Sequence, residues 1–318
     1  MNPKRRILFA QKICKCFPPI ISQKIRDFIF PIELAREYKI DFKKKSITGS
    51  YLNSNTLDFH GYRFYIHGFF DWRNVIISNS IAKHAIGDII EIGANMGTET
   101  VSFCDIVTND AKVHAFEPLP KNLKHLRELS KTQKSLNVFE YAISEKKGEA
   151  SFLVPTETSS GTGKIINNQE GSDFIRVKTA KLDDFLDAFN NVNFISIDTE
   201  GHEPFVLRGA KNTLKKYSPV VVIEVSPKLL LKYADSKPKD ISQFFEDLGY
   251  NIFKINKFSI SKITKDDLLV NKSSNWLCIP MKKKKLELQI KRDLIIRTFI
   301  PWYLLKTLPN SSNRRKSS

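Results

Sequence analysis

From residue 88 onward, short apolar runs alternate with stretches whose apolar residues recur every three or four positions. "DIIEI" (88–92), "KVHAFEP" (112–118), "LNVFEYAI" (136–143), "VNFISID" (192–198) and "PVVVIEV" (219–225) read as strands. "TETVSFCDIVTN" (98–109) places Val101, Cys104 and Ile106 or Val107 at helical spacing, and "PKNLKHLRELSKTQ" (120–133) does so with Leu123, Leu126 and Leu129. The fourth and fifth strands are nearly continuous and β-branched, as parallel strands covered on both faces are. "EKKGEASFLVP" predicts a turn and a strand, and "DFIRVKTAKLDDFL" a strand running into a short helix. The polar, Gly- and Ser-rich segment between them (156–172) reads as a loop. "GYNIFKIN" (249–256) and "NWLCIPM" (275–281) predict a closing pair of strands. The expected fold is therefore α/β, a Rossmann-like sheet that is mostly parallel and doubly wound with an antiparallel closing strand. Ligands of such sheets sit beyond the carboxyl ends of the strands, near the point where strand order reverses.

Charge divides the chain. Of the net +17, residues 1–26 hold +7 with no acid and residues 282–318 hold +9, leaving +1 for 27–281. The expectation is a helical basic N-terminal extension (1–60), a core domain (61–281) and a basic amphipathic C-terminal tail (282–318). Both ends mix Lys and Arg with Ile, Leu and Phe. Leu286, Ile290 and Leu294 share a helical face there, and Trp302 and Tyr303 follow. That mixture reads as peripheral contact with an anionic membrane surface. The near-neutral middle offers no basic groove, which disfavours nucleic acid. No window of 18 apolar residues exists to span a bilayer. Lys12 and Lys15 break the apolar part of the N-terminus, and no small-residue cleavage pattern follows. The four cysteines form no framework and read as free thiols, so the expected location is the cytoplasm, at the inner membrane face.

The candidate chemistry gathers at strand ends. In "DIIEIGANMGTETVSF" (88–103), Gly93, Ala94, Asn95 and Gly97 form a strand-to-helix turn whose backbone can approach a ligand. Glu117 follows Gly97 by twenty residues, at the end of the second strand, where an acid can accept from two ribose hydroxyls. Asn95 stands where a dinucleotide fingerprint has its second glycine, which obstructs a pyrophosphate. Glu91 suits a ligand ammonium and opposes a phosphate. S-adenosylmethionine meets these conditions, with its adenine expected between Leu119 and Ile143 and with Ala142 and Ser144 at the edge.

"IIEIGANMGTETVSF", "VHAFEPLPKNLKHL", "NVFEYAISEKKGEASFLV", "RVKTAKLDDFL" and "FISIDTEGHEPFVLRGA" occur here in the order seen in FkbM-type S-adenosylmethionine-dependent methyltransferases, which the chain resembles over about 60–226. The last block is the most specific, through Asp198, Glu200, Gly201, Glu203, Val206, Leu207, Gly209 and Ala210. Two residues depart mildly from that pattern: Glu91, where the family often has Asp, and Thr199, where an aliphatic residue is common. The resemblance implies a class I methyltransferase sheet and methyl transfer to oxygen, often on a sugar or a polyketide-derived hydroxyl.

On the acceptor side, "DTEGHEP" (198–204) ends the fourth strand. Asp198 is placed to approach the methionine end of the donor or the acceptor, and Glu200 and His202 are the candidate bases. Glu200 could instead cap the helix that follows. Asp198, Glu200 and Glu224 stand at adjacent strand ends, but no metal is assigned. Trp72 could stack on a sugar, while His67, His84 and His114 read as ordinary surface or core residues. The competing functions are a nucleotide-dependent oxidoreductase on the same sheet and a non-catalytic membrane-associated scaffold that keeps the fold.

Overall fold

The computed structural model describes residues 3–108, 110–166 and 171–300. The N-terminal part runs α1 (Pro3–Cys16), α2 (Pro19–Ile29), α3 (Ile32–Tyr38), β1 (Asp41–Lys45), β2 (Tyr51–Asn55), α4 (Phe59–His67) and α5 (Trp72–Ala82). Then come β3 (Asp88–Ile92), α6 (Thr100–Ile106), β4 (Val113–Phe116), α7 (Pro120–Thr132), β5 (Leu136–Phe139), β6 (Ala142–Ile143), β7 (Gly148–Leu153), β8 (Lys164–Ile165) and β9 (Phe174–Ala180). The last third comprises β10 (Val192–Ile197), α8 (Glu203–Gly209), α9 (Lys211–Tyr217), β11 (Val220–Val225), α10 (Pro227–Ala234), α11 (Pro238–Asp247), β12 (Tyr250–Ile255), β13 (Ile260–Lys262), β14 (Ser274–Pro280) and α12 (Lys285–Thr298).

Eight strands form the main sheet in the order β13-β12-β14-β11-β10-β3-β4-β5. The five from β11 to β5 are mutually parallel, and β14, β12 and β13 close the sheet antiparallel to their neighbours. The alternation of side chains explains why the central strands are apolar throughout. Ile89, Phe194, Val220 and Val222 enter one core with α5, α6 and α12, while Ile90, Ile92, Ile195, Val221 and Ile223 enter the other with α8 to α11. Strand order reverses between β3 and β10, so the crevice opens at the carboxyl ends of these two strands.

Three expectations are corrected. The predicted strand 136–143 breaks after Phe139, and Ala142–Ile143 passes into a separate sheet, β6-β9-β7-β8. The region 1–60 holds three helices but also the β1–β2 hairpin, and its helices are not a detached extension: Ile7, Ala10, Cys14 and Phe30 share a core with Tyr62 and Ile66 of α4. The C-terminal segment is a tail only in part. Leu286, Ile290 and Leu294 of α12 are buried in the main core against α5, so the apolar face expected at a membrane is already covered as far as Thr298. Trp302 and Tyr303 lie outside the described residues. No described helix is long and apolar enough to cross a membrane.

Candidate functional site

The glycine turn is fixed by the sheet before any ligand is considered. Gly93 has φ +84°, and a Cβ there would stand 1.9 Å from the carbonyl oxygen of Asp198. Glycine at this position therefore lets the ends of β3 and β10 approach each other. Gly97, at φ +88°, faces Leu126 of α7 and does not line the crevice, so its work is helix packing. Between them Asn95 adopts φ 51°, and its backbone N–H donates to Glu117 at 2.8 Å. Leu119 N–H donates to the other oxygen of Glu117 at 2.9 Å. The carboxylate is thus oriented from both sides at the end of β4. Burial outweighs these bonds and pushes it up to about 7.

The crevice has two connected parts, which share His60, Ile92, Gly93, Asn95 and Asp198. The outer part, about 630 Å³ of open volume, is walled by Glu117, Tyr141, Ala142, Ile143, Phe152 and His202. It meets the proportions of a site for a flat, mostly apolar heterocycle with one polar edge. Leu119 does not reach it, because its side chain packs with Ala142, Phe152, Ile165 and Val177 under the small sheet. Tyr141 and Phe152 stand where an adenine wall was expected from Leu119.

The inner part, about 550 Å³, is acidic. Glu91 and Glu99 line it with Asp198 and Glu224. Glu91 accepts from Thr100 Oγ1 at 2.5 Å, and burial followed by the nearby Glu99 pushes it well above the usual carboxylate range. Glu99 accepts from Asn74 Nδ2 through both oxygens, at 3.0 and 2.9 Å, and is pushed up to about 8, first by burial and then by Asp71. Asp198 is open to the crevice but walled by protein, and this low-dielectric setting raises it strongly, with Glu224 and Glu200 adding repulsion. Glu224 is raised by burial too, so the Asp198–Glu224 pair readily holds a proton between its carboxyls. Among the described residues, Asp198, Glu200 and Glu224 each offer a carboxylate oxygen within 4.8 Å of the other two.

Glu200 lines neither part, sits at φ 54° and is raised to about 7, by burial and then by Glu224. The residue that holds the turn before α8 is Glu203, which accepts from Thr199 N–H, Thr199 Oγ1 and Gly201 N–H. His202 does reach the outer part, but its Nε2 is tied to Ser144 Oγ at 2.9 Å and its ring stacks on Phe205. Burial lowers it to about 4.

Sequence reasoning missed the contribution of α4 and α5. His60 stands where the two parts meet, stacked on Phe70 with ring centroids 3.9 Å apart. Among the described residues its ring nitrogens have no hydrogen-bond partner, and burial lowers it to about 4, so it is neutral near pH 7. The loop over it is pinned: Asp58 caps α4 through His60 N–H at 2.8 Å and also accepts from Ser160 N–H at 2.6 Å. Gly161 passes so near that a Cβ would fall 2.5 Å from His60 Nε2. An N-cap acid before "HGYRF" and a Gly–Ser loop were visible signals, but nothing local joined them. Trp72 is buried, with its indole N–H donating to Thr298, and is not a sugar platform. His114 is a core residue bonded to Asp88.

The residues fit S-adenosylmethionine. Asn95 is over nine-tenths buried yet both its side-chain polar atoms lack a partner, and it lines both parts of the crevice. Such orphaned groups are satisfied by a polar ligand. Glu117 is oriented so that it can accept from hydroxyls, and the inner carboxylates can face a cationic centre.

The family model for the methyltransferase FkbM domain matches residues 91–252. The hexuronic acid methyltransferase AglP of Haloferax volcanii is 29% identical over 172 residues, covering 52% of this chain and 65% of the relative. The chain thus spans just under two thirds of that relative's length. The FkbM methyltransferase structure from Methylobacillus flagellatus KT is 14% identical with a TM-score of 0.40, covering 86% of this chain and 59% of that one. Aeropyrum pernix fibrillarin, solved with natively bound S-adenosyl-L-methionine, is 11% identical with a TM-score of 0.36, covering 65% and 76%.

Proposed function

This chain belongs to the FkbM methyltransferase family, and on that premise we propose that it transfers a methyl group from S-adenosylmethionine to a hydroxyl oxygen of a sugar. The observation that carries this reading is the graded crevice, largely apolar with the oriented Glu117 at its outer end and lined by the carboxylates of Asp71, Glu91, Glu99, Asp198 and Glu224 at its inner end. In this reading Glu117 accepts from the ribose hydroxyls, and Tyr141, Ala142, Ile143 and Phe152 enclose the adenine. Gly93, Ala94, Asn95 and Glu91 hold the methionine end. When bound, the donor supplies a methyl group on a positively charged sulfur. Asp198, at the floor shared by both parts, orients the acceptor hydroxyl toward that methyl group. Neutral His60 takes the hydroxyl proton, because its nitrogens are free where His202 is held by Ser144. The relative that acts on a hexuronic acid supports a sugar acceptor.

Calorimetry with S-adenosylmethionine and S-adenosylhomocysteine tests the reading. We expect both to bind. A protein with an intact cooperative melt that binds neither would sink it. NADH binding in preference to S-adenosylhomocysteine would favour an oxidoreductase instead. Exposed Leu8 and Phe9 among the basic residues of 1–26, with exposed Phe28 just after them, support the further reading that the protein works at an anionic membrane surface. Sedimentation with phosphatidylserine vesicles, abolished by high salt, is the expected outcome.

A further inference from the structure

Helix α12 carries two apolar faces. Leu286, Ile290 and Leu294 enter the core. Leu288 and Ile295, seven residues apart, point the other way, with Ile296 beside them and Phe299 just past the helix end on the same side. Leu288 is 73% exposed, Ile295 41%, Ile296 49% and Phe299 51%. The stripe extends onto the turn between β12 and β13, where Phe258 is also exposed and its ring centroid lies 5.4 Å from that of Phe299. A surface helix that has already buried one apolar face ordinarily turns polar residues outward. Five large apolar side chains on one outward surface mark contact with something apolar.

Charge narrows the partner. Residues 281–300 carry seven Lys and Arg against Glu287 and Asp293. Asp293 is buried, accepts from Ser80 at 2.7 Å and lies 3.6 Å from Arg292. Among the described residues the other six cations make no ion pair. Lys284, Lys285 and Lys291 are exposed beside the stripe. Apolar side chains flanked by free cations complement an anionic lipid surface. A second copy of the chain would instead bring like charges together across a two-fold contact. Position adds a reason for such contact. β14 is antiparallel to both β11 and β12, so these two run the same way and Phe258 lies past the carboxyl edge, where the crevice opens. At the end of α12, Thr298 accepts from the Trp72 indole N–H at 3.3 Å, and Asp71 before that residue lines the inner part of the crevice. The stripe therefore ends beside the crevice wall.

We propose that the outward stripe of α12, with Phe258, seats on an anionic phospholipid surface and holds the carboxyl edge of the sheet at the bilayer. The proposal rests on the membrane reading above and deepens it, by assigning the main contact to α12 rather than to the N-terminal helices. Leu8 and Phe9 lie on α1 and Phe28 on α2, whereas the α12 residues and Phe258 share one surface.

The experiment sediments the full chain with equimolar phosphatidylserine–phosphatidylcholine vesicles and with pure phosphatidylcholine vesicles. We expect it to favour the anionic vesicles at least about tenfold. Ile295→Ser combined with Ile296→Ser should weaken that binding about tenfold or more, and so should Lys284→Glu combined with Lys291→Glu. Leu8→Ser combined with Phe9→Ser should weaken it about threefold or less. All six side chains are exposed, and an unchanged cooperative melt reports that each variant is folded. Failure of the unaltered chain to sediment with either vesicle would overturn this proposal together with the membrane reading. Anionic-vesicle binding that either α12 variant retains within about twofold would overturn this proposal and leave the membrane reading standing. A concentration-dependent dimer that the Ile295→Ser, Ile296→Ser pair dissolves would make the stripe an interface between copies and overturn it as well.

Discussion

The outer and inner parts of the crevice share a wall yet differ in nearly every physical respect. Besides the shared Asp198, the outer part holds Glu117, fixed by two backbone N–H groups, among Tyr141, Ala142, Ile143 and Phe152. The inner part holds Asp71, Glu91, Glu99, Asp198 and Glu224, with Phe70, Ala94 and strand residues as its apolar surface. The difference follows from which strand ends meet. Where β4 of the main sheet and β6 of the small sheet end, mostly apolar side chains line a slot; where β3, β10 and β11 end side by side, acids at their tips converge. Burial makes those acids costly when ionised and empty. The same burial makes them strong partners for a positive charge.

The largest expected effect strikes both parts together. Gly93→Ala would drive a Cβ into the Asp198 carbonyl at a backbone angle alanine rarely adopts. A loss of about 3 kcal/mol or more is expected. It should appear as a large drop in melting temperature, or as insoluble protein. Survival of Gly93→Ala with an unchanged melt would mean that the β3–β10 junction is looser than the geometry says.

Next, Glu117→Ala should separate the parts. It removes the outer acid and leaves Asn95 and Leu119 N–H groups without their acceptor. S-adenosylmethionine affinity should fall about 100-fold, some 2.7 kcal/mol. A change under threefold by calorimetry would remove Glu117 from the ribose role.

The two histidines allow a finer cut. His60→Asn should reduce turnover about 100-fold while leaving donor affinity within about twofold. His202→Asn should reduce turnover only severalfold, because Ser144 already holds that imidazole. The reverse ranking in single-turnover assays would return the base to the outer part.

The smallest effect is on pH dependence. Glu117 and Glu200 stand at about 7 and Glu99 at about 8, all raised mainly by burial. An acid raised on folding holds a proton that the unfolded chain has already lost. Its stabilising contribution is therefore present below the unfolded value and lost as pH rises to the folded one. His60 and His202, lowered to about 4, act in the opposite sense only below about 6.5. The unliganded protein should therefore lose a few degrees of melting temperature between pH 6.5 and 8. Donor affinity should rise severalfold over the same window, because a cationic ligand favours the ionised carboxylates. A flat profile for both quantities would mean that the inner acids do not face the donor.

Much of this molecule was legible because the signals were local. "DIIEIGANMG" contains a strand, its end and its turn in ten consecutive residues, and Glu117 follows at the end of the adjacent strand. The apolar alternation of β10 and β11 likewise declared burial on both faces. Position in the site was less legible wherever it depended on a neighbour distant in sequence. Gly97 looked like a ligand glycine, yet its surroundings are Leu126 and Leu129 of α7. Leu119 looked like an adenine wall, and the small sheet took it instead.

The sequence by itself determined the α/β class, the parallel centre of the sheet and the acids at its strand ends. Period and turn chemistry are properties of short segments, and the Coulomb character of a residue travels with it. Only the tertiary structure decided that His60, Phe70 and Asn74 join Glu99 and Asp198, because four separate elements must pack before those side chains share a space. It also decided the fate of Leu286, Ile290 and Leu294. An amphipathic face has the same pattern whether it meets lipid or protein, and here α5 and the sheet core were within reach to cover it.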